Sequence, residues 1–290
     1  MSCCNNCNKN CIEDIKDKKL VLAGNPNSGK SVFFNHLTGI YVDVSNFPGT
    51  TVDISTGKYK NYTVVDTPGV YGVSSFNEEE TVARDVILEA DIILNVVDSV
   101  HPGRDLFLTK QLIDMGKPVL VALNMIDELQ KNGMTIDVKL LEELLGVPVI
   151  PTSAVKNIGV TDVLMSLGQA RQGNRDPRLA EMMKQFGNTC SEAEALMILE
   201  DDEVVAARFS VETSGLRDDI YMERRRAVED IVNKVLKETS KGASFGTLLG
   251  RWMLKPVTGI PMLLLTLYAM YKIIGIFVAG TVVGFTEEVI

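Results

Sequence analysis

The residues best suited to chemistry form an eight-residue stretch near the N-terminus of this 290-residue sequence. The stretch lies between the apolar run 20–23 and a helical pattern over 32–37, and it reads Gly24, Asn25, Pro26, Asn27, Ser28, Gly29, Lys30, Ser31. The spacing G-x-x-x-x-G-K-[ST] between a strand and a helix is typical of a phosphate-binding loop. Its N–H groups surround the anion, its lysine reaches the β- and γ-phosphates, and its serine hydroxyl binds Mg²⁺. A glycine turn that fits the pattern by chance is the alternative interpretation.

A second polar turn ends the strand predicted over 62–66 and reads Asp66, Thr67, Pro68, Gly69. An aspartate there can hold Mg²⁺ through a water, and the glycine N–H can approach a γ-phosphate because no side chain intervenes. Taken alone, D-x-P-G favours an ordinary turn. Its position about one βαβ unit after the phosphate-binding loop favours a role in nucleotide binding instead.

Residues 44–53 lie between these motifs and contain turn residues and hydroxyls without a helical period. A loop that closes over a nucleotide needs one hydroxyl to complete the Mg²⁺ shell. We predict that Thr51 supplies it, with Thr50 as the second choice and Gly49 beside them at the nucleotide. An ordinary threonine at a strand edge is the alternative. Residues 70–80, called the second switch segment below, also lack an apolar period and are predicted to be ordered by the γ-phosphate.

Polar residues at two further strand ends suit the recognition of a base. These residues are Asn124, Met125, Ile126, Asp127, Ser153 and Ala154. The Asp127 carboxylate can accept hydrogen bonds from N1–H and the exocyclic amine of guanine, a donor pair that adenine lacks. Asn124 is predicted to brace the loops, and the Ala154 N–H to donate to O6 of guanine. Each motif is weak alone, but the ordered set of four indicates a guanine nucleotide site.

Alternating apolar runs and helical patterns over 18–170 must position these groups. Strands are predicted over 19–23, 52–60, 62–66, 92–97, 118–123 and 147–151, and helices over 30–37, 78–89, 104–115, 137–145 and 159–167. Nearly continuous apolar strands that alternate with helices predict an α/β domain with a doubly wound, mostly parallel sheet. Ligands bind at the carboxyl ends of such strands, where the motifs fall.

The motifs GNPNSGKS, NFPGTTVD, DTPGVYG, NMID and TSA resemble those of the translation-factor-like GTPases, and most of all the ferrous iron transport protein B (FeoB) family. The resemblance is close over 20–168. It implies a fold of the phosphate-loop GTPase type that binds GTP and GDP and controls Fe²⁺ uptake through the bacterial inner membrane. It also implies a small helical domain that modulates GDP release. A small cytosolic accessory protein and a homo-oligomer are further expected partners.

Catalysis is predicted to rest on Lys30, the Thr51-bound Mg²⁺ and the N–H of Gly69. Many small GTPases place a glutamine directly after D-x-x-G to orient the attacking water, whereas this chain has Val70, so hydrolysis is expected to be slow. In related potassium-activated GTPases the asparagine that matches Asn27 binds K⁺. That resemblance makes Asn27 a K⁺ candidate, with a loop-bracing asparagine as the alternative.

The chain outside 18–170 divides by composition. Residues 1–17 form a polar tail in which Cys3, Cys4, Cys7 and Cys11 suit a soft metal ion, or alternatively form an ill-ordered thiol tail. The charged region 171–241 is predicted to be helical, with helices over 192–200, 203–210 and 218–238. The basic run 224–226 is either a solvated face or a contact with acidic lipid or with the preceding domain.

The C-terminal part is predicted to comprise a linker over 242–258 and a transmembrane helix over 259–286. The apolar run 260–285 is long enough to span a bilayer, and basic residues precede it, which places the N-terminal side in the cytoplasm. A buried helix of a soluble protein is the alternative. The resemblance implies that further spans follow Ile290 in a multi-pass protein.

Net charge weighs against one class of partner. The formal charge is −9, with 29 basic and 38 acidic residues, so no nucleic acid is expected. The competing functions are a soluble, K⁺-dependent regulatory GTPase of RNA modification or ribosome assembly, and a nucleotide sensor with negligible turnover.

Overall fold

The computed structural model describes residues 17–39, 43–47, 50–74, 77–187, 189–238 and 245–274. By compactness the chain forms two units, a larger one of residues 1–129 and 135–237 and a smaller one of residues 130–134 and 238–290. The four cysteines of the N-terminal tail and Gly49 lie outside the described residues, so their predicted roles stay predictions.

Nine strands are present in the described residues. They are β1 (Lys18–Ala23), β2 (Asp43–Asn46), β3 (Asp53–Tyr59), β4 (Tyr62–Asp66), β5 (Ile92–Asp98), β6 (Val119–Asn124), β7 (Met134–Ile136), β8 (Val149–Pro151) and β9 (Leu236–Glu238). Seven form one sheet in the order β2-β3-β4-β1-β5-β6-β8, while β7 pairs with β9. The five strands from β4 to β8 along this order are parallel, and β2 and β3 add an antiparallel edge.

Helices of the larger unit pack against the sheet. The helices described are α1 (Lys30–Thr38), α2 (Glu78–Leu88), α3 (Pro102–Asp114), α4 (Ile126–Lys131), α5 (Val138–Leu145), α6 (Val160–Ser166), α7 (Pro177–Met183), α8 (Glu192–Leu199), α9 (Glu203–Phe209), α10 (Arg217–Val235), α11 (Phe245–Leu254) and α12 (Pro256–Met270). The contacts with the sheet come chiefly from α1, α2, α3 and α5. Every residue of β5 and β6 is buried, which explains why both read as nearly continuous apolar runs. The predicted doubly wound α/β fold is confirmed.

Strand register brings the predicted motifs to one edge. Asp66 is the register partner of Leu22, two residues before the phosphate-binding loop begins at Gly24, because β1 and β4 are parallel neighbours. Asn124 is likewise the partner of Asp98, and Pro151 is the partner of Leu123. The carboxyl ends of β1, β4, β6 and β8 therefore surround a common site, as expected for an open parallel sheet.

Within the larger unit, the helices after residue 170 pack on this core chiefly through α10 against α3 and α5. Three details differ from the sequence-based expectation. Pro177–Met183 forms a helix, α7, that was not among those predicted. The last predicted helix ends at Val235 instead of residue 238, because Leu236–Glu238 pairs with β7 as a strand. The predicted linker over 242–258 contains α11 and the start of α12, whose apolar sequences favour helices over an extended chain.

In the smaller unit, α12 begins with Pro256 at its first turn and continues as π-helical turns through residue 274. Among the described residues this is the one helix long and apolar enough to cross a membrane, at 19 residues over Pro256–Ile274. None of that span is buried within the chain. The predicted span ran to residue 286, and its part from 275 on lies outside the described residues.

Candidate nucleotide-binding site

The phosphate-binding loop joins β1 to α1 with the geometry its glycines permit. Gly29 has a φ of 101°, a left-handed conformation, and it precedes α1 without any side-chain cap on that helix. The first N–H groups of α1 are therefore left to bind an anion instead of a capping side chain. The loop itself is closed by the Ser28 N–H, which donates to the Asn25 carbonyl at 3.3 Å.

Gly69 lies directly against this loop. A Cβ built on Gly69 would lie 2.8 Å from Cα of Pro26 and 3.1 Å from Nζ of Lys30. The following residue, Val70, donates its N–H to the Gly24 carbonyl at 3.3 Å. The Asp66–Gly69 turn thus contacts the phosphate-binding loop through backbone, and any side chain at position 69 would enter the lysine's space.

Lys30 is almost wholly buried, and its Nζ donates to the carbonyls of Gly24 at 3.0 Å and Asn25 at 3.1 Å. Burial lowers the pKa of Lys30, while Asp66 and Asp105 oppose that shift. The lysine is therefore held inside the loop by neutral acceptors. A phosphate oxygen would offer the ammonium a stronger, charge-assisted partner.

Asp66 and Ser31 meet where a metal ion is predicted. The Ser31 hydroxyl donates to Oδ2 of Asp66 at 3.1 Å. Burial raises the pKa of Asp66, against the Lys30 charge and the Ser31 hydrogen bond. Within the described residues, the buried Oδ1 of Asp66 has no hydrogen-bond partner. One free carboxylate oxygen beside one hydroxyl is a donor set that fits hydrated Mg²⁺.

Two neighbouring clefts complete the phosphate side of the site. A cleft of about 380 Å³ is lined by Asn27, Lys30, Ser31 and the turn 66–69. A second cleft of about 740 Å³ is lined by Thr51 together with Pro68 and Gly69. Asn27 is exposed with a left-handed φ of 63°, so its side chain is available to a ligand.

The structure distinguishes the two threonines of the first switch. The Thr50 hydroxyl donates to the Phe47 carbonyl at 3.1 Å and accepts from the Val52 N–H at 3.3 Å, so it is committed to a turn. The Thr51 hydroxyl is exposed and donates to Oε2 of Glu78 at 3.3 Å. An exposed contact of that length is readily exchanged, which favours Thr51 as the group that turns to a metal.

The base-reading loops are held together by Asn124. Its Nδ2 donates to the Ser28 carbonyl at 2.9 Å, and its Oδ1 accepts from the Ala154 N–H at 2.9 Å. The predicted brace is thus formed as a contact between the phosphate-binding loop and the 153–154 turn. The Ala154 N–H points to Asn124, however, so O6 of a guanine would have to replace that acceptor.

Asp127 has a partner that the sequence analysis missed. Lys156 Nζ lies 2.7 Å from Oδ2 of Asp127, and together with the Ser153 hydroxyl it lowers the Asp127 pKa to about 2. Met125 directly after Asn124 takes a left-handed φ of 61°, and the Ile126 N–H donates to the Thr152 carbonyl at 3.1 Å. A basic residue shortly after the Ser153-Ala154 pair is the sequence signal for Lys156.

The second switch segment is tied to the helical region by a buried cluster that the sequence did not reveal. Oε2 of Glu200 accepts from the Ser74 hydroxyl and from Nε2 of Gln111, each at 2.5 Å. Arg224 donates to the other Glu200 oxygen at 2.6 Å and lies 3.5 Å from Asp114. Of the basic run 224–226, Arg224 therefore contacts the preceding domain, whereas the other two arginines are exposed.

Fold and site together define a G domain, with a phosphate-binding loop between β1 and α1 and the Asp66–Gly69 turn in contact with it. A model of the family described as "Ferrous iron transport protein B" matches residues 18–167, more than half of the chain. The chain belongs to this family.

Individual relatives agree. The Fe(2+) transporter FeoB of Legionella pneumophila (strain Lens) is 46% identical over 157 residues, which are 51% of this chain and 21% of that protein. An Fe(2+) transport protein A/Fe(2+) transporter FeoB fusion protein of Porphyromonas gingivalis is 37% identical over 162 residues, 53% of this chain and 19% of the fusion. The matched part thus spans about a fifth of each relative's length.

Two solved structures cover more of the chain. The cytosolic domain of L. pneumophila FeoB aligns with a TM-score of 0.68 and 32% identity over 76% of this chain and 100% of its own. The cytosolic domain of the T. maritima FeoB iron transporter in its GMPPNP form aligns with a TM-score of 0.67 and 31% identity, over 76% of this chain and 100% of its own. These comparisons lend no support to a regulatory GTPase of RNA modification or ribosome assembly.

Proposed function

We propose that this chain binds GTP with Mg²⁺, hydrolyses it slowly to GDP and phosphate, and thereby controls Fe²⁺ passage through a membrane part. The observation that carries the proposal is the convergence of Lys30, Ser31, Asp66 and Gly69 at one strand edge. The Asp127 carboxylate at the neighbouring strand end supplies the guanine selectivity. A FeoB relative with a GMPPNP form supports the choice of nucleotide.

Each group has a role in the proposed reaction. Lys30 leaves two carbonyls to bind phosphate oxygens, and the loop N–H groups stabilise charge on the transferred phosphoryl. Ser31, Thr51 and Asp66 would hold the Mg²⁺ ion, which would supply positive charge to offset that of the phosphate oxygens. The Gly69 N–H approaches the γ-phosphate. Val70 is buried and apolar, so it cannot orient water, and turnover is slow.

Potassium is the proposed activator. Asn27 is exposed on the phosphate-binding loop, and it lines the cleft shared with Lys30 and Asp66. An amide oxygen there can bind a K⁺ ion that adds positive charge near the transferred phosphoryl. This ion would take the part that an arginine finger plays in other GTPases.

The signal from nucleotide to membrane is proposed to pass through the Ser74–Glu200 contact. GTP orders the second switch segment, and hydrolysis releases it. Glu200 follows α8 and is bonded to both Ser74 and Arg224, so movement of the switch shifts α8 and α10 together. We also propose that domain boundaries lie near residues 170 and 241, on either side of the helical region that contains Glu200 and Arg224.

The remaining assignments rest on relatives. We infer that the protein lies in the bacterial inner membrane with its N-terminal domains in the cytoplasm, and that α12 opens the membrane part. Fe²⁺ is the transported ion, and the fused relative supports a small cytosolic accessory protein as partner. We also propose that the protein forms a homo-oligomer.

Calorimetry with GTP, GDP and ATP tests the nucleotide assignment, with Asp127→Asn as the diagnostic variant. We expect GTP and GDP to bind and ATP not to, and Asp127→Asn to lose guanine and gain xanthine nucleotides. Equal uptake of ATP and GTP by the unsubstituted chain would overturn the proposal. Iron uptake by cells that carry Asp127→Asn in the full-length protein then tests the link to transport.

A further inference from the structure

Asp105, in the first turn of α3, joins three elements through one buried carboxylate. Its Oδ1 accepts from Nδ2 of Asn25 at 2.9 Å and from Nε of Arg104 at 2.8 Å. Its Oδ2 accepts from the N–H of Asp98, the last residue of β5, at 2.9 Å. The side chain is 1% exposed, so these bonds are shielded from water.

The phosphate-binding loop depends on this carboxylate. Asn25 is wholly buried, and within the described residues its Oδ1 has no hydrogen-bond partner. The bond from Nδ2 to Asp105 is therefore the side-chain bond that orients Asn25 in that part of the chain. Burial raises the pKa of Asp105, while the Asp98 N–H and Arg104 oppose that shift by binding the ionised form.

Arg104 extends the connection to the second switch segment. Its guanidinium carbon lies 5.8 Å from the centroid of the Tyr71 ring, within the range of a cation–π contact. Nη2 of Arg104 lies 3.6 Å from Asp98, so the guanidinium is held from behind by two carboxylates. Tyr71 is half exposed and follows Val70, whose N–H is bonded to the loop carbonyl of Gly24.

Two adjacent residues of one helix thus contact both nucleotide-responsive segments. We propose that Arg104 and Asp105 are positioning residues for GTP hydrolysis, with Asp105 fixing the phosphate-binding loop through Asn25 and Arg104 fixing the second switch segment through Tyr71. This inference rests on the proposed GTPase function. Because Val70 cannot orient the attacking water, the rate depends on where the segment's backbone lies, and small misplacements are costly.

The two contacts predict different kinetic effects. The loop touches the phosphates of GDP and GTP alike, so Asp105→Asn places an amide against donors and weakens both nucleotides, roughly tenfold. The Tyr71 stack acts only on the segment that the γ-phosphate orders. Tyr71→Leu therefore lowers kcat by roughly two- to fivefold, with GDP affinity unchanged within about twofold. Arg104→Met also removes a hydrogen bond to Asp105, so it is expected to lower both kcat and GDP affinity.

The experiment measures kcat and KM for GTP, the Kd for GDP and the melting temperature of the 290-residue chain in detergent. Tyr71→Phe keeps the aromatic face and is expected to restore the kcat that Tyr71→Leu loses. Lys60→Met removes a contact of the same type, over Tyr59 at 5.0 Å and away from the site, and serves as the matched control. Asn25→Ala tests the loop bond independently if Asp105→Asn fails to fold.

The outcomes distinguish a failure of the positioning proposal from a failure of the proposed GTPase function. A normal kcat in Tyr71→Leu, or an equal loss in Tyr71→Phe, overturns the role of Arg104. A lower melting temperature without any change in GDP affinity in both Asp105→Asn and Asn25→Ala overturns the role of Asp105. If the unsubstituted chain binds GDP but never turns over GTP, both the hydrolysis and the positioning proposal fail.

Discussion

The ammonium of Lys156 lies 2.7 Å from the carboxylate of Asp127, the group that we propose reads guanine. Asp127 lies in the first turn of α4, Lys156 ends a short 3-10 turn after β8, and both side chains are partly exposed. Guanine needs the same carboxylate, in its ionised form, to accept two hydrogen bonds. The ion pair therefore favours the ionised form and occupies one oxygen of the carboxylate that we propose reads guanine.

The ion pair makes a prediction about pH. The Asp127 pKa is lowered from 3.8 to about 2, chiefly by Lys156. The stabilisation it gives is fully present above the ordinary pKa and is lost as pH falls through about 2. We expect Lys156→Met to raise the Asp127 pKa towards its ordinary value, and Lys156→Arg to leave it low. A carboxyl-carbon NMR titration measures this, and an unchanged Asp127 inflection in Lys156→Met would contradict it.

Gly69→Ala tests the close approach of the second motif to the phosphate-binding loop. The new Cβ would lie 2.8 Å from backbone atoms of Pro26, which cannot move without moving the loop. Overpacking of this kind costs about 1–3 kcal/mol, so we expect kcat/KM for GTP to fall by roughly ten- to a hundredfold. Gly168→Ala is the control, because no atom lies within 4 Å of its added Cβ. Similar losses in both variants would rule out a local effect.

Asn27 allows a test of the proposed monovalent ion. We expect GTP hydrolysis to be faster in K⁺ than in Na⁺ by roughly tenfold, well below the ~10³-fold effect of an arginine finger. In Asn27→Ala the rates in the two salts should become equal, whereas GDP affinity should change little because the phosphate-binding N–H groups remain. A salt effect that persists in Asn27→Ala would place the ion elsewhere.

Local patterns in the sequence predicted most of the sheet and the position of the motifs. The runs over β5 and β6 are almost entirely apolar before their polar last residues, with Asn95 the one polar residue inside β5, and such strands must be covered on both faces. The short strands β2, β7 and β9 were missed because three or four residues carry no readable period. The α11 helix was missed for a different reason, since its glycines at positions 246 and 250 indicate a linker.

The missed site residues share a physical feature: their partners are distant in sequence. Asn25 and Asp105 are 80 positions apart, and Ser74 and Glu200 are 126 apart. No local spacing indicates such pairs, since only the packing of α3, α8 and α10 creates them. Arg224 is an example of a residue whose burial cannot be read from local sequence. The run of three arginines favours a solvated face, although Arg224 itself is buried.

Glu200→Gln should be the most destabilising of the conservative changes considered, because it leaves the Arg224 charge buried without its closest partner. Both side chains are almost wholly shielded, and their bond is 2.6 Å long. Breaking one side of a buried pair costs about 3–5 kcal/mol, whereas replacing both partners by uncharged groups costs much less. We therefore expect denaturant unfolding to show roughly 3 kcal/mol lost in Glu200→Gln and part of it recovered in Glu200→Gln/Arg224→Met. Glu203→Gln, exposed at the start of α9, should be close to neutral, and a similar loss there would refute the buried-charge explanation.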